Sequence, residues 1–455
     1  MNRDILRLAW PVFVGQLAVM LNGVIDTVMA GRLSAVDMAA IGLGSSVYIS
    51  VYIGLMGTLL ALSPIAAQHF GAGRDEEIGA SFRQALWLAL ALAVPGTVAM
   101  SWSAPWLALS APPPEVAALT REYLWAVAAG LPAALLFRAF YALNTAISRP
   151  RVVMYVNLVG VAAKIPLNAL FIGGADALGI PAMGGAGCGV ATSVISWLSA
   201  LLALSWLALD RSYERFRLLR WSGPQWSRLR ELLQLGVPIG ASYVVEVTSF
   251  TFMALFVARL GAVASASHQI AANLTGVCYM AALGIASATS TLVAQSIGAN
   301  EPARARRYAK VGLRLAIVVA LAAAGTLFAA REWVAHAYSG DAAVVRASLP
   351  LIAAVAAFHV FDSLQTQFGF ILRAYKIATL PMVVYVVAMW GVGLGGGWWL
   401  VFVPGPGSVA GAFDGSRTGA LGFWVAGVVS LVLASIGFAL VLRRTWAREP
   451  ARVPA

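Results

Sequence analysis

Apolar runs of twenty or more residues recur along the chain between short polar breaks. They predict twelve spans near residues 8–33, 42–68, 83–102, 121–147, 151–172, 186–209, 234–260, 269–297, 310–330, 346–372, 379–402 and 418–442. About 20 apolar residues in a helix cross a bilayer core. No segment alternates with the two-residue period of a membrane barrel. The expected fold class is all-α, a polytopic membrane protein. One run, Gln234–Leu260, contains a single full charge, Glu246, close to its middle. An acidic side chain at that depth costs on the order of 2.5–3.5 kcal/mol on insertion scales, and the default reading is a pathway or ion site facing the protein interior.

The pattern repeats. Displaced by 227 residues, Leu8–Pro11 (LAWP) falls on Leu235–Pro238 (LGVP), Arg32–Val36 (RLSAV) on Arg259–Val263 (RLGAV), and Ala67–Ala72 (AQHFGA) on Ala294–Ala299 (AQSIGA). Six spans per half is an even number, so both halves enter from one side and the repeat is parallel, with its pseudo-two-fold along the membrane normal. The expected organisation is a first lobe over 1–209, a basic linker over 210–230, and a second lobe over 231–455 with a short basic tail. Two such six-helix lobes facing each other across a cleft suit a transporter.

Composition agrees and narrows the function. Charged residues make up 11% of the chain, against about 25% in soluble domains. The net charge of +12 is segregated. One side of the spans holds Arg32, Arg121, Arg259, Arg331, Arg346 and Arg417; the other holds the dense groups around Arg211–Arg230 and Arg304–Lys310. The positive-inside rule then puts both termini in the cytoplasm. The surplus reads as topology and lipid-headgroup contact, with no nucleic-acid partner expected. Cys188 and Cys278 lie in apolar runs and read as small buried hydrophobes. No HExxH, usable GxSxG, phosphate loop or cysteine cluster is present, so no enzyme activity is expected.

Three acids lie at depth, Asp26, Glu246 and Asp362, and the repeat matches none of them to another acid. Gln16, Asn22 and Asp26 form a polar ladder on the first span. Lys164 and Asn168 share a face of the fifth, with Pro166 between them expected to loosen the backbone. Asp26 and Lys164 can pair, either as a static neutralised couple or as a switch released by protonation. In the second half, Phe250 shares a face with Glu246, Tyr279 lies at mid-depth, and Gln269 and Asn273 lie nearer the outer end of the eighth span. His359 precedes Asp362 by one turn. It is either a helix–helix hydrogen-bonding residue or a modulator of that acid.

The stretches Val24–Gly31, Ala67–Gly73, Lys164–Asn168, Gly184–Thr192, Pro238–Val247, Phe361–Gln365 and Ile371–Lys376 together resemble the multidrug and toxic compound extrusion (MATE) family, within it the NorM-type bacterial branch. The resemblance implies a monomer of the bacterial inner membrane. It would export lipophilic, mostly cationic drugs by alternating access, driven by inward H+ or Na+, with no other cofactor. It further implies a cation site around Glu246 and Asp362 with Tyr279, and a first-lobe site around Asp26 and Asn168. Asp341 falls where relatives place residues that help hold drug. Lys164 departs from the family pattern, in which Asn is common, and its ammonium would repel Na+ beside Asp26. A lipid-linked oligosaccharide flippase of the wider superfamily is the alternative. Such an anionic substrate would call for buried basic residues, and the chain offers chiefly Lys164 and Arg138 against three acids.

Overall fold

The computed structural model describes residues 1–403 and 415–448; the part of the basic tail beyond Arg448 and the Arg417 side chain lie outside what is described. The first half runs α1 (Asn2–Gly31), α2 (Ala35–Leu59), α3 (Leu62–Gly71), α4 (Asp75–Ser101), α5 (Ala104–Ser110), α6 (Pro114–Ala146), α7 (Pro150–Gly173) and α8 (Ala186–Leu209). The second runs α9 (Trp226–Ala258), α10 (Ala262–Gly298), α11 (Pro302–Ala329), α12 (Arg331–Tyr338), α13 (Ala342–Ala374), α14 (Thr379–Val386), α15 (Gly396–Phe402) and α16 (Gly415–Arg448). Among the described residues, twelve helical segments are long and apolar enough to cross a membrane. No strand forms among the described residues beyond one isolated bridge, Ala175 to Ile180.

The duplication is visible in the backbone. Short α5 and α12 begin at 104 and 331, the same 227-residue displacement. Gly73 and Asn300, also 227 apart, both take left-handed backbone after a helix end, with φ of 67° and 60°. Glycine and asparagine are the residues that reach this region at least cost. The matched Ala-Gln-x-x-Gly-Ala motifs meet directly. A Cβ on Gly71 would strike the carbonyl of Gln295, and a Cβ on Gly298 would strike that of Gln68. Each glycine is therefore required by the other copy's backbone.

Packing divides the chain into two units. One comprises Met1–Trp10, Ala241–Val293 and the chain from Pro302 on; the other comprises Pro11–Gly240 and Ala294–Glu301. Within the second of these the linker is folded onto α4. Arg215, Arg217 and Arg228 pair with Asp75, Glu76 and Glu77 at 3.8, 2.8 and 2.6 Å. Three acids in a first helical turn also complement the helix dipole. These arginines thus have protein partners, where charge distribution alone suggested topology and lipid headgroups. Trp87 Nε1 and Arg83 Nε donate to the Ser222 carbonyl and hydroxyl at 3.0 and 2.8 Å.

Two local features bear on the sites. Helix α7 continues through Pro166 without a break. Between α14 and α15 the chain widens into a π-helix, Val387–Gly395, in a stretch rich in glycine, a geometry found mostly as short insertions near functional sites.

Candidate functional site

In the first half the acid is enclosed. Asp26 Oδ1 lies 2.8 Å from Lys164 Nζ and accepts from Asn168 Nδ2 at 2.8 Å. The lysine side chain is 1% exposed. Its ammonium also donates to Thr192 Oγ1 at 2.6 Å and to the Cys188 carbonyl at 3.4 Å. Three donors thus meet three acceptors, the condition under which a buried ion pair offsets its desolvation. Asn168 is fully buried, and its Oδ1 has no hydrogen-bond partner among the described residues. The polar ladder of α1 is not continuous: Asn22 turns its amide back to the Ala18 carbonyl, and Gln16 reaches Tyr141 Oη at 3.4 Å.

The second half brings Glu246 of α9 and Asp362 of α13 within electrostatic range of each other. Tyr279 of α10 is in range of both. Three further groups join them that the sequence did not single out: Tyr385 of α14, Tyr243 of α9 and Arg373 of α13. Neither acid forms an ion pair within 4 Å among the described residues. Arg373 lies in range of Glu246, yet its guanidinium donates to Tyr243 Oη at 3.3 Å and stacks over Phe370 at 4.5 Å. Asp362 is buried, while Glu246 is half-buried. The arrangement is a pair of carboxylates ringed by phenol groups, able to hold a proton or a small cation.

One turn away lies an aromatic cluster. Phe250 meets Phe358 and Trp424 edge-on at 6.1 and 6.3 Å, and Phe358 meets Trp424 at 5.4 Å. With Met253, Met389 and Phe423 they line a narrow cavity of about 20 Å³. His268, which the sequence did not single out, packs against Trp424 at 5.8 Å; it and His359 are both buried, each with an Nδ1 that has no hydrogen-bond partner among the described residues. The structure does not bring every expected residue here. Gln269 and Asn273 are exposed, and Asn273 donates back to the Gln269 carbonyl. Asp341 caps α13, accepting from Ala343 N at 2.7 Å. It is separated from Asp362 by 21 residues of helix, roughly 30 Å.

Duplicated six-span halves with unshared acids at depth define a membrane transporter, and comparison with known proteins gives the family. The MatE family model matches residues 11–170 and 238–399. A probable multidrug resistance protein NorM of Aromatoleum aromaticum is 42% identical over 96% of this chain and 92% of its own length. The multidrug resistance protein PmpM of Pseudomonas aeruginosa is 34% identical over 97% and 91%. An outward-facing MATE family transporter superposes with TM-score 0.86 at 19% identity, over 98% of this chain and 96% of that one. The eukaryotic MATE transporter AtDTX14 does so with 0.84 at 17%, over 98% and 97%. The chain belongs to the MATE family of transporters.

Proposed function

We propose that this protein is a multidrug efflux antiporter of the bacterial inner membrane, with both termini cytoplasmic, exporting lipophilic cations in exchange for inward H+ or Na+. The observation that carries this reading is the pair Glu246 and Asp362, held in range of each other without an ion-pair partner among the described residues. Ionised, the pair attracts a cationic substrate, and the aromatic cluster beside it adds apolar and cation–π contact. A coupling cation entering from outside neutralises the same carboxylates, so drug affinity falls and the drug leaves. Each species shifts the inward–outward equilibrium only as far as its affinity differs between the two states. The multidrug names of the NorM and PmpM relatives support the substrate class.

The test is ethidium efflux from proteoliposomes, run with a proton gradient alone and then with a sodium gradient alone. One gradient should drive efflux, and Glu246→Gln and Asp362→Asn should each abolish it while the protein remains folded in the membrane. Wild-type efflux from Glu246→Gln would remove the central claim.

A further inference from the structure

Where the linker crosses α4, charges of one sign converge beside exposed tryptophans. Arg83 of α4 lies in electrostatic range of Arg220 and Arg228. Arg228 is paired with Glu77 at 2.6 Å, and Glu76, the acid in range of Arg83, is held by Arg217 at 2.8 Å. Neither Arg83 nor Arg220 forms an ion pair within 4 Å among the described residues. The linker that brings them together is fixed in place. Tyr213, Phe216 and Leu218 are buried, and Arg83 Nη1 donates to the Arg217 carbonyl at 2.7 Å. The Gln84 side chain donates to the Gly223 carbonyl at 3.0 Å and accepts from Gln225 N at 2.7 Å. On the exposed face stand Leu219, Arg220 and Trp221. Trp221 is 84% exposed, with its ring edge-on to Trp87 at 5.7 Å.

Below this point the same face of α4 runs on into the membrane. Arg83, Trp87, Leu90, Val94 and Val98 follow at three- and four-residue spacing, which keeps them on one stripe of the helix. The apolar span predicted over 83–102 opens at Arg83, so the guanidinium stands at headgroup depth and Trp87 one turn deeper. Leu90, Val94 and Val98 are all exposed and make an apolar strip about 12 Å long. Guanidiniums without an acid attract an anion, and phosphate oxygens match their fork of donors. Tryptophan favours the membrane–water boundary, with its ring in the apolar layer and its N–H in the polar one. Trp87 fits that rule, its N–H bonded to the Ser222 carbonyl. Cations, then indole rings, then an aliphatic strip follow the order of phosphate, glycerol and acyl chain in one phospholipid. A soluble anion would use the arginines and leave the strip without a partner.

We propose that Arg83, Arg220 and Trp221, with the Leu90–Val98 strip of α4, bind one anionic phospholipid of the inner leaflet. This goes beyond the efflux reading and shares with it only the placement of the termini, which sets the leaflet.

The experiment titrates purified full-length protein in detergent with phosphatidylglycerol or phosphatidylcholine and counts retained lipid by native mass spectrometry. Wild type should hold the first phosphatidylglycerol about twentyfold more tightly, each of two basic residues contributing about fivefold at an anionic headgroup. Arg220→Gln should remove about fivefold of that preference while phosphatidylcholine binding stays unchanged, which also shows that the variant is folded. Arg220→Lys should keep most of it. Arg83→Gln should act in the same direction, but Arg83 also holds the linker, so Arg220→Gln is the deciding variant. Arg443→Gln, at an exposed arginine of α16 outside the cluster, should change nothing. An unchanged preference in Arg220→Gln overturns the site. An equal loss in Arg443→Gln does so too, by assigning the preference to diffuse surface charge. Displacement of the lipid by millimolar inorganic phosphate would assign the cluster to a soluble anion and overturn it as well. Binding is read without transport, so absent ethidium efflux sinks the efflux reading alone, and absent lipid preference sinks this site alone.

Discussion

Asp26 and Glu246 lie on the opening helices of two duplicated halves, and their surroundings differ in kind. Asp26 meets an ammonium and an amide, each at 2.8 Å, and the ammonium has two further acceptors. Glu246 faces another acid, with the nearby arginine turned to a tyrosine. Where the backbone is duplicated most closely, as in the reciprocal Gly71 and Gly298 contacts, both copies serve the same packing. The acids sit in different settings: a closed network around Asp26, and a pair of carboxylates at Glu246 and Asp362 with no ion-pair partner among the described residues, which on the proposed reading exchanges its counter-charge.

The largest expected effect separates the two acids by function and by the sign of their effect on stability. Glu246→Gln should reduce efflux to background, yet leave the thermal midpoint unchanged or higher, because a costly unpaired carboxylate becomes neutral. Asp26→Asn should lower the midpoint, because it leaves the Lys164 ammonium buried without its counter-ion. Efflux per folded transporter should survive better than in Glu246→Gln. Midpoints from scanning fluorimetry and efflux from matched proteoliposomes check both halves of the claim, and the reverse ordering breaks the comparison.

Next in size is Lys164→Met, which strands the Asp26 carboxylate and should cost about 3–5 kcal/mol, the usual penalty for removing one partner of a buried pair. The double variant with Asp26→Asn should recover much of that loss. A double-mutant cycle without such coupling would show that the pair is not the unit described. Asn168→Ala should cost less, about 1.5–3 kcal/mol for one hydrogen bond to a charged acceptor, measured in the same unfolding assay.

The spans, the repeat and the chance for Asp26 to meet Lys164 were legible in the sequence because each is a one-dimensional signal: hydropathy, self-similarity, and opposite charges at compatible depth. The ring around Glu246 and Asp362 was only half legible. Tyr385 sits in an apolar run where a tyrosine is unremarkable, its ring being apolar and its hydroxyl polar. Arg373 reads as a charge at a helix end, and only the tertiary contact between α13 and α9 reveals it beside Tyr243 and in range of Glu246. Asp341 is a different case: the family resemblance implies a drug-holding role, and the structure adds that its side chain caps α13.

The smallest expected effect comes from the same chemistry outside the spans and calibrates the others. Arg149 Nη1 meets Asp210 Oδ2 at 2.9 Å, with the two side chains 38% and 35% exposed. The Ser212 hydroxyl and amide first, then Arg149, hold the Asp210 carboxyl below its ordinary value of 3.8. A carboxyl lowered on folding contributes stability that is present above that ordinary value and is lost as pH falls through the folded one. Asp210→Asn keeps the cap on the Arg211–Phe216 turn and removes only the charge. It should therefore cost under about 1 kcal/mol at neutral pH, given solvent screening, and nothing at pH values low enough to protonate the wild-type residue. Chemical denaturation of both proteins from neutral pH down to that limit reads the difference directly. A loss as large as that of Lys164→Met would mean that burial is not what separates the two ion pairs, and the contrast between closed and open sites would need another cause.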